Sequence, residues 1–275
     1  MGAIKYIVAM MFVLLAVPAM AAQDETVVVE AEGMILLGDD STIGQAKASA
    51  LNNARRSALE KVTGVEVHGS SMVYNYQLIN DLVITATKGI IVKESVIKSS
   101  CTVKDEQVSC SARILATVKP LHTERRGDFA VTKAVVHRYG SEASKMNPVF
   151  QSKDEVQIHA AVNSDAWLYL FNVDQNGNVT RLYPNEYAQA NIITAGKELV
   201  FPEPAMREAG MKLKVATPKG VKKAVESVLV IATKGKKSLL EGNIENPTIT
   251  DLMRELSEID PSQWVEKTVG YEVRE

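Results

Sequence analysis

The chain has 275 residues, of which 46% are hydrophobic and 23% are charged, values typical of a globular protein with a buried core. Its formal net charge of -2 gives no electrostatic reason to expect nucleic acid as a partner. The composition excludes collagen-like and low-complexity classes, and the length suffices for two ordinary domains of roughly 100–150 residues each.

The N-terminus predicts export. A single lysine precedes an unbroken apolar run over residues 6–17, and the small-x-small sequence Ala19-Met20-Ala21 follows it. Because the run is shorter than the roughly 20 residues of a membrane-spanning helix, we interpret residues 1–21 as a cleaved secretory signal peptide. No cysteine lies directly after the run, where a lipid would be attached. We therefore expect a periplasmic protein without a lipid or transmembrane anchor.

Residues 24–120 predict an α+β domain. A first strand is followed by Thr42 and Gln45, which form the capping box of a helix that ends at Gly64. A second helix is predicted over residues 71–88, and two long strands follow. The last strand alternates apolar and polar residues, which predicts an antiparallel sheet with one solvent-exposed face and two helices on the other.

The two cysteines lie in the hairpin that these long strands predict. With Asp105-Glu106 as the turn, Cys101 faces Cys110 in a non-hydrogen-bonded pair, whose Cα atoms approach to about 4.5 Å. Because exported proteins meet an oxidising environment, we predict a disulfide between them. The alternative is a pair of free thiols that fill a core. A bridge here closes a short loop, so its role is structural.

Residues 121–127 predict a linker, and residues 128–275 predict a second, mostly β domain. Frequent turn residues favour a sandwich-like arrangement of strands. Asn176-Gly177 between two apolar runs is a strong hairpin signal. An amphipathic helix is predicted over residues 248–259, close to the C-terminus. The whole chain is therefore predicted to be an α+β protein.

Two stretches resemble known families. The first, residues 29–118, resembles the N-terminal domain of flagellar assembly protein T through Ala31-x-Gly33, the alanine-rich helix segment 46–55 and the run 87–91. That family belongs to periplasmic flagellar ring assembly, and similar small domains occur in unrelated exported proteins.

The second stretch, residues 150–233, resembles the domain of unknown function 4384. The motifs that carry the likeness are the run 165–174, Asn176-Gly177-Asn178-Val179, Leu182-Tyr183-Pro184-Asn185 and Ala195-Gly196-Lys197-Glu198. One departure is Ser152-Lys153-Asp154-Glu155, where a Gly-Asp pair usually opens the first strand. The family has no settled activity. The domain occurs together with other modules in bacterial proteins, which implies a binding or structural unit.

Catalytic and cofactor motifs are missing from the sequence. The chain lacks HExxH, the GxSxG elbow, and the GxxxxGK[ST] and GxGxxG phosphate loops. Its four histidines are scattered singly, which gives a zinc site little support. Asp174-x-Asn176-Gly177-Asn178 is similar to the start of a calcium loop, but position 12 is Asn185, so a turn is favoured. We expect no enzyme, no cofactor, no metal and no small-molecule ligand.

A candidate interaction surface combines aromatic, amide and basic side chains. Its members are Trp167, Tyr183, Asn185, Tyr187, Lys222 and Lys223. The two tyrosines flank a Pro-Asn turn and would line a shallow recognition surface, although a tyrosine packed under a loop is the favoured alternative. The lysines belong to basic clusters at residues 219–223 and 234–237, which either meet an anionic surface or are solvated loops.

These observations predict a non-catalytic exported envelope protein that acts as a protein-interaction or assembly module, for flagellar or other envelope machinery. The expected partner is another envelope protein. The alternative is a cell-wall glycan-binding or glycan-processing protein, for which Trp167, Tyr183 and the basic clusters would line a cleft. A calcium-dependent structural module is the third hypothesis.

Overall fold

The computed structural model describes residues 26–38, 41–64, 89–104, 107–120, 127–141, 148–241 and 244–275. The predicted signal peptide, the helix predicted over residues 71–88 and most of the predicted linker lie outside these ranges. The described residues form an α+β fold that is mostly strand, arranged in three sheets. No helix in these ranges is long and apolar enough to cross a membrane.

The first sheet is antiparallel, with the strand order β1-β3-β2. Its strands are β1 (Val27–Leu36), β2 (Gly89–Lys104) and β3 (Gln107–Pro120). Helix α1 (Ile43–Thr63) packs against β1 and β3. The predicted alternation of β3 is confirmed, because its apolar set from Cys110 to Val118 is buried under the helix while Arg113 and Leu115 are exposed on the opposite face.

Both predicted ends of α1 are confirmed. The Thr42 hydroxyl accepts a hydrogen bond from the Gln45 backbone N–H (3.1 Å), and the Gln45 side chain accepts one from the Thr42 backbone N–H (2.8 Å). This capping box satisfies two N–H groups that a helix start leaves unpaired. At the other end, Gly64 adopts the left-handed conformation, with φ of 66°, that stops a helix.

The second and third sheets share one hydrophobic core, and we call the region that they form the sandwich. The second sheet contains β4 (Val131–Arg138), β6 (Glu155–Val162), β10 (Glu198–Phe201) and β11 (Leu213–Lys214). The third contains β5 (Val149–Gln151), β7 (Ala166–Val173), β8 (Val179–Tyr183), β9 (Ile192–Ile193), β12 (Lys223–Thr233) and β13 (Trp264–Arg274). Two helices accompany them, α2 (Pro204–Glu208) and α3 (Ile249–Ser257).

The third sheet is covered on both faces. On one face Leu168 and Leu170 pack with Ile158 of the second sheet in the sandwich core. On the other face Phe171 and Leu252 belong to a separate core that α3 closes. Because neither face meets water, β7 and the second half of β12, residues 228–232, are apolar almost without interruption, unlike a strand with one solvated face.

The turn predicted at Asn176-Gly177 is confirmed. β7 and β8 pair as a hairpin, and Gly177 takes a φ of 84°, which favours glycine. The Asp174 carboxylate accepts hydrogen bonds from the backbone N–H groups of Asn176 (2.8 Å) and Asn178 (2.9 Å). The motif therefore builds a turn, with its carboxylate engaged inside the loop.

The sequence analysis did not predict the short elements β5, β9 and α2. Each has five residues or fewer, too few to show a periodicity. The C-terminal helix is confirmed, with Thr248 as its N-cap. The final strand, β13, begins at Trp264 and pairs with β12 along its whole length.

The first sheet and the sandwich are packed against each other. Ile90 at the start of β2 is buried in the core that α3 closes. The Lys119 ammonium group donates a hydrogen bond to the Ser257 carbonyl at the end of α3 (2.8 Å). The Gln45 side chain of α1 donates to the Lys223 carbonyl (2.9 Å). Both apolar and polar contacts therefore join the two regions.

Candidate functional site

The β2–β3 hairpin carries the disulfide predicted from the sequence. Cys101 and Cys110 are bonded, and their Cα atoms lie 4.0 Å apart. The predicted register is also confirmed, because Val103 faces Val108 and Cys101 faces Cys110. The predicted turn residues lie outside the described ranges. The bridge ties the outer part of the hairpin together.

The outer part of β2, residues 93–104, presents an exposed edge; we call it the β2 edge. Its apolar side chains are solvent-exposed, with Val96 at 51%, Ile97 at 54% and Val103 at 74%. Among the described residues, β3 is the one strand that pairs with β2. The β2 edge therefore offers unpaired backbone groups next to apolar side chains, which is the template that an added strand needs.

The β2 edge also carries features that limit indiscriminate pairing. Lys93, Lys98 and Lys104 are exposed along it. The register with β3 shifts between Ile91 and Lys93, and again after Val96. Lysines and bulges are the usual means by which natural proteins keep an exposed edge from aggregating.

The edge of β1, unlike the β2 edge, is hydrogen-bonded to side chains of α1. The Lys61 ammonium group of α1 donates a hydrogen bond to the Glu30 carbonyl (2.9 Å). The Asn53 side-chain amide donates another to the Met34 carbonyl (2.9 Å). Side chains of the helix thus occupy carbonyl groups that a partner strand would use, so the β2 edge is the more available of the two.

The predicted aromatic pair does not form one surface. Tyr183 is only 4% exposed and belongs to the sandwich core. Its hydroxyl donates to the Gln189 carbonyl (3.2 Å) and accepts from the Asn191 N–H (3.3 Å), and burial raises the pKa of the phenol. Tyr187, by contrast, is 74% exposed. The packed alternative is therefore the correct description of Tyr183.

Asn185 organises the turn between these tyrosines. Its side-chain oxygen accepts hydrogen bonds from the backbone N–H groups of Tyr187 (2.9 Å) and Ala188 (2.8 Å). Its side-chain amide donates to the Leu182 carbonyl (2.7 Å). These three bonds engage the amide within the loop, so a turn-forming role accounts for the residue.

The two basic clusters lie apart. One precedes β12 and the other follows it, and the length of this strand separates them by roughly 30 Å. Lys222 is exposed, whereas Lys223 forms an ion pair with Glu272 (2.7 Å). Trp167 lies at the opposite end, half-buried, with the Lys236 ammonium group 5.6 Å from its ring centroid. The predicted residues therefore do not form a single site.

Two of the scattered histidines meet on the second sheet. The rings of His137 and His159 are 4.6 Å apart, and His159 is hydrogen-bonded to Glu198. Burial lowers the pKa of His159, although the Glu198 carboxylate acts in the opposite direction. The lowered pKa favours a neutral ring. In the described part of the chain, no three His, Cys, Asp or Glu side chains are grouped to hold a metal ion.

A partly buried polar cluster was not predicted from the sequence. The Tyr271 hydroxyl donates to the Glu226 carboxylate (2.7 Å), and the Asn172 side-chain amide donates to the same oxygen (2.9 Å). Strand β12 starts at Lys223, and its alternation places Glu226 on the same face as Val228. That alternation was the available signal.

One family model matches part of the chain. The model described as Domain of unknown function (DUF4384) matches residues 149–236. The matched segment runs from β5 to just beyond β12, so it includes much of the sandwich but not α3 or β13. The expected resemblance of this region is thereby confirmed, whereas the resemblance of residues 29–118 stays a prediction. No curated protein matches the chain.

Proposed function

We propose that this protein is an exported, non-catalytic interaction module that docks another envelope protein on the β2 edge. The observation that carries the proposal is the exposure of Val96, Ile97 and Val103 on a strand whose described neighbour is β3 alone. A soluble protein gains nothing from exposed apolar side chains on an open edge unless a partner covers them.

The chemistry of the edge indicates the kind of partner. An extended segment would add a strand beside β2, gaining main-chain hydrogen bonds and covering the apolar side chains. The exposed lysines favour a segment with acidic residues, since complementary charges select partners and speed association. The disulfide supports the same role, because a rigid hairpin loses less conformational freedom on binding than a flexible one.

The N-terminal apolar run supports export, and the disulfide fits an oxidising compartment. We propose the periplasm as the location. The resemblance of residues 29–118 to a flagellar assembly domain makes flagellar or other envelope machinery the first place to look for the partner.

The proposal is tested by photocrosslinking in cells. A photoreactive amino acid replaces Ile97 in the tagged full-length precursor, and the same label replaces Ile192 as a matched control. Both isoleucines are 54% exposed and lie in strands. We expect a discrete crosslinked product from position 97 and none of that size from position 192, with mass spectrometry locating the attachment in an extended acidic segment of an envelope protein.

A variant completes the experiment. Val103→Asp introduces a charge into the β2 edge and should reduce the crosslinked product at least tenfold, whereas Ile192→Asp should leave it unchanged. Equal products from both labelled positions would refute docking on the β2 edge. Capture of peptidoglycan fragments alone would replace the proposal with the glycan-binding alternative.

A further inference from the structure

A cavity of about 280 Å³ lies between the two sheets of the sandwich; we call it the sheet cleft. This volume is far more than the roughly 10–15 Å³ that one water molecule needs, and it is close to the smallest volumes of small-ligand pockets. Lys214 and Ala216 line the cleft and are exposed, so it reaches the surface beside β11.

The walls of the sheet cleft are mainly aliphatic, and Thr180 adds a hydroxyl group to the lining. Val136 and Val156 belong to the second sheet, and Leu182 and Val228 to the third. Leu213 of β11 continues the apolar lining towards the mouth. Such a lining favours the hydrocarbon part of a ligand, because burial of apolar surface is the main driving force for entering a pocket.

One carboxyl group lies within this apolar lining. Oε2 of Glu226 accepts from the Tyr271 hydroxyl (2.7 Å) and from the Asn172 amide (2.9 Å). Among the described residues, Oε1 has no hydrogen-bond donor. The Tyr271 oxygen is also 2.8 Å from Oδ1 of Asn172, so one phenolic proton serves two acceptors. Oε1 therefore remains an acceptor for a donor that enters the cleft.

The surroundings disfavour a bare negative charge on this carboxyl. Burial raises the pKa of Glu226, and the charge of Asp174 adds to the rise, although hydrogen bonds from Tyr271 and Asn172 partly offset it. Burial raises the pKa of Tyr271 well above its usual value, so the phenol stays a donor. Lys214 at the mouth is the charged group that the facing β11 contributes to the lining.

We propose that the sheet cleft binds a small primary amine, whose ammonium group donates hydrogen bonds to Oε1 of Glu226 and whose hydrocarbon chain packs between the two sheets. The ammonium group supplies a positive charge and hydrogen-bond donors to this carboxyl. Lys214 at the mouth disfavours a second positive charge on the ligand, so a monoamine fits better than a polyamine. This binding is separate from docking on the β2 edge.

The test compares three six-carbon probes on the full-length mature protein: hexylamine, hexanol and hexanoate. Their hydrocarbon chains are equal, so differences in affinity report the head group. We expect hexylamine to bind at least about tenfold more tightly than hexanol, since a hydrogen bond between charged groups exceeds a neutral one. Chemical shifts of the cleft residues, or titration calorimetry, measure the affinities.

Two variants assign the site. Glu226→Gln keeps an acceptor for Tyr271 but removes the charge, and should abolish the preference for hexylamine over hexanol. Glu208→Gln, at an exposed position on α2, is the matched control and should retain it. Ala216→Trp obstructs the mouth without touching the polar cluster, and should weaken hexylamine and hexanol alike, so the site is tested even if Glu226→Gln folds poorly.

The pH profile gives an independent readout. Hexylamine affinity should rise as the pH rises through the pKa of Glu226, which lies above the usual value of 4.5. It should fall again as the ammonium group loses its proton, at a pH of about 10.4, which is typical of alkylamines. Equal affinity for amine and alcohol, a hexylamine affinity that does not change as Glu226 titrates, or no binding of any probe would each overturn the proposal, whatever the crosslinking at position 97 shows.

Discussion

At the scale of single residues, Gly33 determines how closely α1 approaches the first sheet. A Cβ atom at this position would lie 2.2 Å from the backbone nitrogen of Ala54 and 2.3 Å from the carbonyl oxygen of Ala50. Real Cβ atoms do not come this close to backbone atoms, so any side chain forces the helix away. The small-residue motif Ala31-x-Gly33 therefore has a direct packing explanation.

We predict that Gly33→Ala lowers the free energy of unfolding by at least about 2 kcal/mol, because overpacking costs typically 1–3 kcal/mol and rigid backbone cannot move aside. Gly235→Ala is the control, since no atom lies within 4 Å of the added Cβ, and it should change stability by less than about 0.5 kcal/mol. Denaturant unfolding measures both. Equal effects would show that α1 does not rest on Gly33.

At the scale of elements, the β2–β3 hairpin combines a long exposed edge with a covalent crosslink. The bridge spans a sequence separation of 9 residues, and Cys110 is fully buried under α1. A short closed loop restricts the unfolded chain only modestly. Its main consequence is local, because it keeps the outer strands paired where apolar side chains are exposed.

We predict that loss of this disulfide costs about 2–3 kcal/mol, the value that the loop-closure model gives for a loop of this size. Denaturant unfolding of the oxidised and reduced protein measures the difference, and the Cys101→Ser, Cys110→Ser double variant is the control that reductant should not affect. The chain has only two cysteines, so no other bridge confuses the result. Alkylation of both thiols without reductant would refute the bond.

At the scale of the whole molecule, α3 belongs to both regions. It covers one face of the third sheet, and it also contacts β2 of the first sheet. Ile90 on β2 is buried in the same core as Leu252 and Leu256 of α3. Because a single core crosses from one region to the other, we expect the sheets to unfold together.

We predict that Ile90→Ala destabilises the protein by about 2–5 kcal/mol, the usual cost of removing a buried isoleucine, and separates unfolding into two transitions. Ile97→Ala removes the same atoms from an exposed position of the same strand and should cost less than about 0.5 kcal/mol. Calorimetry measures both. Two transitions already present in the unmodified protein would contradict a shared core.

The stretch that resembles the domain of unknown function 4384 departs from its pattern at Lys153-Asp154, and the structure explains this departure in part. Lys153 stands where a glycine was expected, and its φ is 78°, in the left-handed region that favours glycine. The backbone conformation is thus kept although the residue differs. The Lys153 N–H donates to the Val215 carbonyl (2.7 Å), and this bond helps to hold the turn.

The sequence by itself determined the features that depend on neighbouring residues. The capping box of α1, its glycine stop, the Asn-Gly hairpin and the register of Cys101 with Cys110 all follow from interactions over a few positions or across one tight turn. Their energies arise within the segment, so the segment's residues suffice to predict them.

Only the tertiary structure determined which side chains from distant parts of the sequence lie next to each other. Asn172, Glu226 and Tyr271 come from β7, β12 and β13, which the strand order makes neighbours although they are far apart in sequence. The burial of Tyr183 and the separation of the two lysine clusters have the same origin. These outcomes depend on which apolar faces cover one another, and a periodic pattern identifies such a face without naming its partner.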